Sequence, residues 1–146
     1  MPDLLRSASA VWTGDLRGGA GTVSSESGAL NDAGFKFVTR FENEAGSNPE
    51  ELIAAAQAAC FSMALSSNLG KNGTPPGEIR TKATLTLHKG DAGFKITAIH
   101  LETVGTVAGV DAATFQTIAE QTKNTCPVSV LLKPGLESMT VTAKSA

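Results

Sequence analysis

The two cysteines are the residues of this chain best suited to chemistry, because a thiolate is both a nucleophile and a metal ligand. Cys60 lies in an apolar run, residues 58–63, a setting typical of an inert core thiol. Cys126 is followed by Pro127, which suits the first turn of a helix. A helix beginning there would bring amide N–H groups near the Cys126 sulfur and stabilise its thiolate. These residues alone leave three roles open: inert thiols, metal ligands or a redox pair.

Metal binding is the weakest of these roles. A structural zinc site uses about four Cys or His ligands at close spacing. His88 and His100 fall in strand-like segments and form no such group with the cysteines. The sequence therefore predicts neither a metal nor another cofactor.

The composition narrows the possible partners and the compartment. The chain has 146 residues and a net charge of -2, without the basic patch that nucleic acids or anionic membranes favour. Its first residues lack the apolar core and cleavage site of a secretory signal, and we expect the apolar run 52–65 to be too short to span a bilayer. We expect a cytoplasmic protein, in a compartment where permanent disulfides are rare.

The elements that position the cysteines follow from the spacing of apolar residues. Strands are predicted at 8–13 and 21–24, joined by a glycine-rich turn at 18–21. No Lys-Ser or Lys-Thr follows this turn, which argues against a phosphate-binding loop. Alternating phenylalanines predict a further strand over residues 35–42.

Cys60 falls on a predicted helix over residues 52–69. Asn48 can cap it, Pro49 suits its first turn, and Glu50 lies at the positive end of the helix dipole. Almost every face of this helix is apolar, which is typical of a buried central helix.

The second half of the chain predicts strands at 79–88 and 94–104, with a bulge between Ala98 and Ile99. A helix from about Asp111 to Lys123, a short helix at 128–132 and a strand at 139–143 follow. This order predicts an α+β fold with mostly antiparallel pairing, in a single domain of residues 1–146.

Residues 48–65, with the sequence NPEELIAAAQAACFSMAL, resemble the OsmC/Ohr family of osmotically inducible and organic-hydroperoxide-resistance proteins. The likeness continues at 91–94, 109–112 and at the Cys-Pro segment 126–129, so it covers nearly the whole chain. Residues 21–28 and 39–42 look like the OsmC branch.

The resemblance implies antiparallel sheets around a central helix, an intertwined homodimer, and a thiol-dependent peroxidase that acts on organic hydroperoxides. It matches Cys60 to the peroxidatic cysteine, Cys126 to the resolving cysteine, and Glu50 to the acid that holds the site arginine. That arginine is expected to be Arg40, with Arg17 as the second candidate. The family also suggests an external dithiol as reductant, carried on a lipoylated protein.

Two further expectations concern the site. Glu50 and Cys60 lie ten residues apart, about 15 Å along one straight helix, so Arg40 and Glu50 are expected to reach Cys60 from the other subunit. The peroxide pocket is expected to be apolar, with candidate lining residues Phe35, Phe37, Phe41, Phe61 and Met63.

The alternatives to a peroxidase are a non-catalytic thiol redox sensor and a stress-linked binding protein with inert thiols.

Overall fold

The computed structural model describes all 146 residues and has the predicted α+β class. The chain forms two compact units, Met1–Leu52 and Ile53–Ala146, and the single domain stays a prediction. The strands are β1 Ala8–Thr13, β2 Ala20–Ser25, β3 Ala33–Phe35, β4 Glu78–Gly90, β5 Gly93–Thr106 and β6 Ser138–Ser145. The helices are α1 Phe37–Phe41, α2 Pro49–Lys71, α3 Ala112–Thr125 and α4 Pro127–Leu132, with a 3-10 turn at Lys133–Gly135.

The first unit contains the predicted hairpin. Strands β1 and β2 pair antiparallel, and β3 joins the free edge of β2. Asp15 closes the turn, because its carboxylate accepts the Gly18 N–H (2.6 Å) and its carbonyl accepts the Gly19 N–H (2.9 Å). A Cβ at Gly19 would collide with the carbonyls of Thr13 and Asp15, so the glycines serve the turn rather than a phosphate.

The prediction of a strand over residues 35–42 is wrong beyond Phe35. The strand β3 ends at Phe35, and α1 begins at Phe37. Phe37 and Phe41 satisfy a period of two, but they also satisfy the helical i,i+4 spacing, and their ring centroids lie 5.0 Å apart. The Thr39 hydroxyl accepts the Lys36 N–H (3.0 Å) and lies 2.9 Å from the Ser47 carbonyl, which holds this helical turn in place. Arg40 is therefore on a short helix and not on a strand.

Helix α2 starts as the sequence predicts, one residue after Asn48. The Asn48 Oδ1 accepts the Glu51 N–H at 2.8 Å, and the Asn48 amide donates to the Thr39 carbonyl at 3.2 Å. Asn48 thus caps α2 and also ties its start to α1.

Removing this cap has a measurable cost. We expect Asn48→Ala to lower the free energy of unfolding by about 1–2 kcal/mol, because the first turn of α2 loses the side-chain acceptor of a backbone N–H. Asn48→Asp keeps that acceptor and is the matched control. Urea unfolding at fixed protein concentration measures both variants, and equal stability of Asn48→Ala and wild type would contradict the capping role.

Helix α2 buries one stripe rather than its whole circumference. The buried side chains in the second unit recur every four residues: Gln57, Phe61, Leu65 and Leu69. The opposite face carries Ala55, Ala56, Ala59 and Met63, all exposed. The prediction of a buried central helix holds for this stripe and not for the opposite face, because apolar composition does not specify what covers each face.

The expectation that this segment is too short to span a bilayer also needs correction. Helix α2 has 23 residues and is long and apolar enough to cross a membrane by length and composition. Core helices of soluble proteins pass the same test, so this property alone is weak evidence for a membrane span.

The second unit holds a three-stranded sheet in the order β4-β5-β6, whose β5–β6 pair is parallel. The β4–β5 pairing is interrupted because Thr86 pairs with Ala98 whereas Leu87 pairs with Ile96. Thr97 therefore has no partner on β4. The Thr97 carbonyl accepts the Glu137 N–H (2.8 Å), just before β6 begins. The bulge therefore lies one residue from its predicted position.

The core of the second unit joins α2, the sheet and α3. Its completely buried apolar side chains are Phe61, Leu65, Leu69, Leu101, Phe115, Ala119 and Cys126. Helix α3 begins at its predicted cap, where Asp111 Oδ1 accepts the Thr114 N–H at 2.7 Å. That hydrogen bond holds the pKa of Asp111 below its usual value.

Candidate active site

Cys126 lies at the junction of two helices. Its N–H donates to the Thr122 carbonyl at the end of α3, and its carbonyl accepts the Val130 N–H in α4, both at 2.9 Å. Pro127 has no N–H to continue α3, but it suits the first position of α4. The Cys126 side chain is fully buried.

The Cys126 sulfur faces Cys60, which lies in the middle of α2. The two Sγ atoms are 2.9 Å apart although the residues are separated by 66 positions in the chain. Both are free thiols, and Cys60 is only partly buried. The structure thus brings the two predicted redox residues together, with the partly accessible thiol in the position predicted for the attacking one.

The environment within this unit favours the protonated form of Cys60. Burial raises the pKa of Cys60 above its ordinary value, and the neighbouring Cys126 thiol raises it further. The Val128 N–H, in the first turn of α4, opposes this effect and lowers the Cys60 pKa. Sequence reasoning had directed the α4 amides at Cys126, whereas this one acts on Cys60. A positive charge near Cys60 would lower its pKa and favour the thiolate.

In the first unit, Arg40 and Glu50 form an ion pair. Arg40 Nη2 lies 2.9 Å and Nε 3.2 Å from Glu50 Oε1, and Nε also lies 3.3 Å from Oε2. The Glu50 residue is 9% exposed, whereas 38% of the Arg40 side chain remains accessible. Glu50 thus fixes one edge of the guanidinium and leaves other donors free to meet a ligand.

Arg17 and Arg40 both contact a phenylalanine ring but differ in their ion pairs. The Arg17 guanidinium carbon lies 4.7 Å from the centroid of the Phe37 ring, and that of Arg40 lies 5.0 Å from the centroid of the Phe41 ring, as is typical of cation–π contacts. The ion pair with Glu50 is made by Arg40. Arg40 and not Arg17 is therefore the arginine that Glu50 holds.

The first unit also contains an apolar cavity of about 280 Å³. Its lining includes Trp12, Leu16, Phe35, Phe37, Phe41 and Arg40. Three of the five candidate pocket residues are in this lining. Phe61 belongs instead to the core of the second unit, and Met63 is 75% exposed, so neither lines this cavity.

Sequence reasoning missed a second polar pair between α2 and α4. Gln57 Nε2 donates to Ser129 Oγ at 2.8 Å, and both side chains are completely buried. The signal in the sequence is spacing: Gln57 precedes Cys60 by three residues, and Ser129 follows Cys126 by three. A spacing of three places Gln57 and Cys60 on one face of α2, whereas Cys126 is the N-cap residue of α4 and Ser129 lies in the first turn of that helix.

The α+β fold and the two free thiols in contact are features of a thiol protein. Comparison of this chain with known proteins identifies its family. The family model described as OsmC-like protein matches residues 41–140, and this chain belongs to that family. The protein named peroxiredoxin OsmC from Escherichia coli (strain K12) is 56% identical over 124 residues, which cover 85% of this chain and 87% of that protein. This similarity agrees with the predicted OsmC branch.

Solved structures share the fold. The organic hydroperoxide resistance protein from Elizabethkingia anophelis is 26% identical, covering 98% of this chain and 99% of that chain with a TM-score of 0.69. The OsmC protein from Legionella pneumophila, at 20% identity, covers 99% of this chain and 100% of that chain with a TM-score of 0.72.

Proposed function

We propose that this protein is a thiol-dependent peroxidase that reduces organic hydroperoxides to alcohols. The observation that carries the proposal is the 2.9 Å contact between the sulfurs of Cys60 and Cys126. The names of its relatives, peroxiredoxin and organic hydroperoxide resistance protein, support the same chemistry.

The reaction has two steps. The Cys60 thiolate attacks one peroxide oxygen, an S–O bond forms, the O–O bond breaks, and the alkoxide leaves and takes up a proton to become the alcohol. Cys60 is then a sulfenic acid, oxidised by two electrons, and the peroxide has been reduced. Cys126 attacks the Cys60 sulfur, an S–S bond replaces the S–O bond, and the hydroxide leaves with the Cys126 proton as water.

Arg40 and Glu50 serve the first step in this proposal. The guanidinium carries a permanent charge that lowers the pKa of a nearby thiol, and its free donors can bind the peroxide oxygens. Glu50 holds the guanidinium in the required orientation. The aromatic cavity beside Arg40 suits the apolar group of an organic hydroperoxide better than hydrogen peroxide.

We place Arg40 and Glu50 of one copy at Cys60 of a second copy, in a homodimer. Helix α2 is continuous, so the ten positions from Glu50 to Cys60 correspond to about 15 Å. The exposed Ala55, Ala59 and Met63 face of α2 supports the dimer, because a second copy would cover it. The pKa of Cys60, raised within its own unit, gives a chemical reason for a charge supplied from outside.

The reductant in this proposal is an external dithiol, such as a lipoyl group on a protein, which reopens the disulfide by exchange. A cytoplasmic location fits this cycle, because a reducing compartment keeps both cysteines available as thiols between turnovers.

A peroxidase assay separates the proposed function from its alternatives. With cumene hydroperoxide and excess dithiol, we expect sustained peroxide consumption, and with one equivalent of peroxide and no dithiol we expect both thiols to disappear together. Loss of both thiols without turnover would indicate a redox sensor instead. Unchanged thiols would indicate a binding protein. Equal turnover of hydrogen peroxide would argue against the apolar pocket.

Subunit mixing tests where Arg40 acts. Cys60→Ser and Arg40→Met should each be inactive, but co-expressed at equal levels they should regain about one quarter of wild-type activity. Half of randomly paired dimers contain both variants, and each of these has one complete site of two if Arg40 acts across the interface. Failure of correctly mixed dimers to regain activity would contradict this arrangement.

A further inference from the structure

Gln57 has a buried polar atom without a partner. Its side-chain nitrogen donates to Ser129, but its carbonyl oxygen Oε1 is buried and makes no hydrogen bond. A buried acceptor that is not hydrogen-bonded destabilises the resting protein. An acceptor of this kind can be satisfied by a donor that forms only at a later stage of the reaction.

The position of Gln57 identifies that donor. Gln57 and Cys60 are three residues apart on α2 and therefore neighbours on the helix surface. Ser129 and Cys126 have the same spacing at α4, so the pairs Gln57–Ser129 and Cys60–Cys126 form two successive contacts between these helices. In the reduced protein the Cys60 thiol contacts Cys126 and does not donate to Gln57.

We infer that Gln57 is a positioning residue for the second step, and that its carbonyl oxygen accepts a hydrogen bond from the sulfenic acid formed on Cys60. This inference rests on the proposed peroxidase function. Oxidation replaces a weak S–H donor with an O–H donor that extends one bond further from the sulfur. The new hydroxyl supplies the hydrogen bond that Gln57 lacks in the reduced state.

This hydrogen bond would affect the competition between two reactions of the sulfenic acid, disulfide formation and further oxidation. Cys126 must displace the hydroxide from the Cys60 sulfur, whereas a second peroxide would oxidise that sulfur irreversibly to the sulfinic acid. A hydroxyl held by Gln57 rotates less, and the Cys60 sulfur stays available to Cys126. Gln57 forms no covalent bond in either step.

The test compares Gln57→Met with Ser129→Ala. Methionine approximates the size of glutamine without the carbonyl, whereas Ser129→Ala removes the contact to α4 and keeps the carbonyl. After rapid mixing with cumene hydroperoxide, mass spectrometry of quenched samples measures the sulfenic, disulfide and sulfinic forms of Cys60. We expect Gln57→Met to form the sulfenic acid within about twofold of the wild-type rate but the disulfide about fivefold more slowly, with more sulfinic acid per turnover. Ser129→Ala should behave like wild type.

Gln57→Glu retains a carbonyl oxygen and should restore part of the disulfide rate, and Gln57→Leu replaces Gln57→Met if the latter does not fold. Disulfide formation at the wild-type rate in the folded Met or Leu variant would overturn the inference. So would an equal defect in Ser129→Ala, because Gln57 would then act only by anchoring α4. If wild type forms neither sulfenic acid nor disulfide, the peroxidase proposal fails and this inference fails with it.

Discussion

Replacing Cys60 with serine should abolish peroxide consumption, with a loss of at least about 1,000-fold in kcat/KM. A serine hydroxyl fills nearly the same space, but it does not ionise in the accessible pH range and is a poor nucleophile. The measurement is the dithiol-dependent consumption of cumene hydroperoxide.

Cys126→Ser should separate the two steps that Cys60→Ser abolishes together. This variant keeps the attacking thiol, so we expect one equivalent of peroxide to be consumed and a sulfenic acid to form on Cys60. Without Cys126 the reaction then stalls or proceeds to the sulfinic acid, which intact-mass measurements detect. Full turnover by Cys126→Ser would mean that the external dithiol attacks Cys60 directly and that the 2.9 Å sulfur contact is not part of the cycle.

Arg40→Met should lower kcat/KM by about 100-fold or more. The substitution removes the donors proposed to bind the peroxide, and it leaves the mostly buried Glu50 carboxylate without its counterion. The pH profile adds a second measure, because a positive charge near a thiol lowers its pKa and its removal raises it. Alkylation of Cys60 by iodoacetamide, which follows the thiolate, should therefore move to higher pH in Arg40→Met.

The matched control for this variant is Arg17→Met. Arg17 contacts the Phe37 ring and makes no ion pair with Glu50, so its removal should change kcat/KM by less than about threefold and leave the alkylation profile in place. Similar losses in both variants would show that Arg40 has no special role. An unchanged alkylation profile in Arg40→Met would contradict its action on the Cys60 thiolate.

Local signals predicted the segments around the cysteines well. Asn48 and Asp111 cap α2 and α3 as expected, because a side-chain acceptor before a helix acts within three residues. Pro127 ends one helix and begins the next for equally local reasons. Thus Cys60 was correctly placed on a helix and Cys126 at a helix start.

The sequence-based predictions were wrong or incomplete where a feature depends on residues distant in the chain. Helix α1 was predicted as a strand, since the Phe37 and Phe41 spacing fits both periods and Thr39 reaches a carbonyl eight residues away. The contact from Gln57 to Ser129 spans 72 positions, so the three-residue spacings from Cys60 and Cys126 indicate it only once the two cysteines are known to meet. Both faces of α2 are mainly apolar but only one is buried, because burial depends on what lies opposite each face.

In the proposed cycle, the 66-residue separation of Cys60 and Cys126 would link the redox state of the protein to its resistance to unfolding. A covalent bond between these sulfurs closes a large loop in the denatured chain, and the loss of chain entropy corresponds to about 4 kcal/mol in favour of the native state. We therefore expect the proposed disulfide form to be the more heat-resistant one. Reduction by a dithiol would return the protein to a state that unfolds more readily.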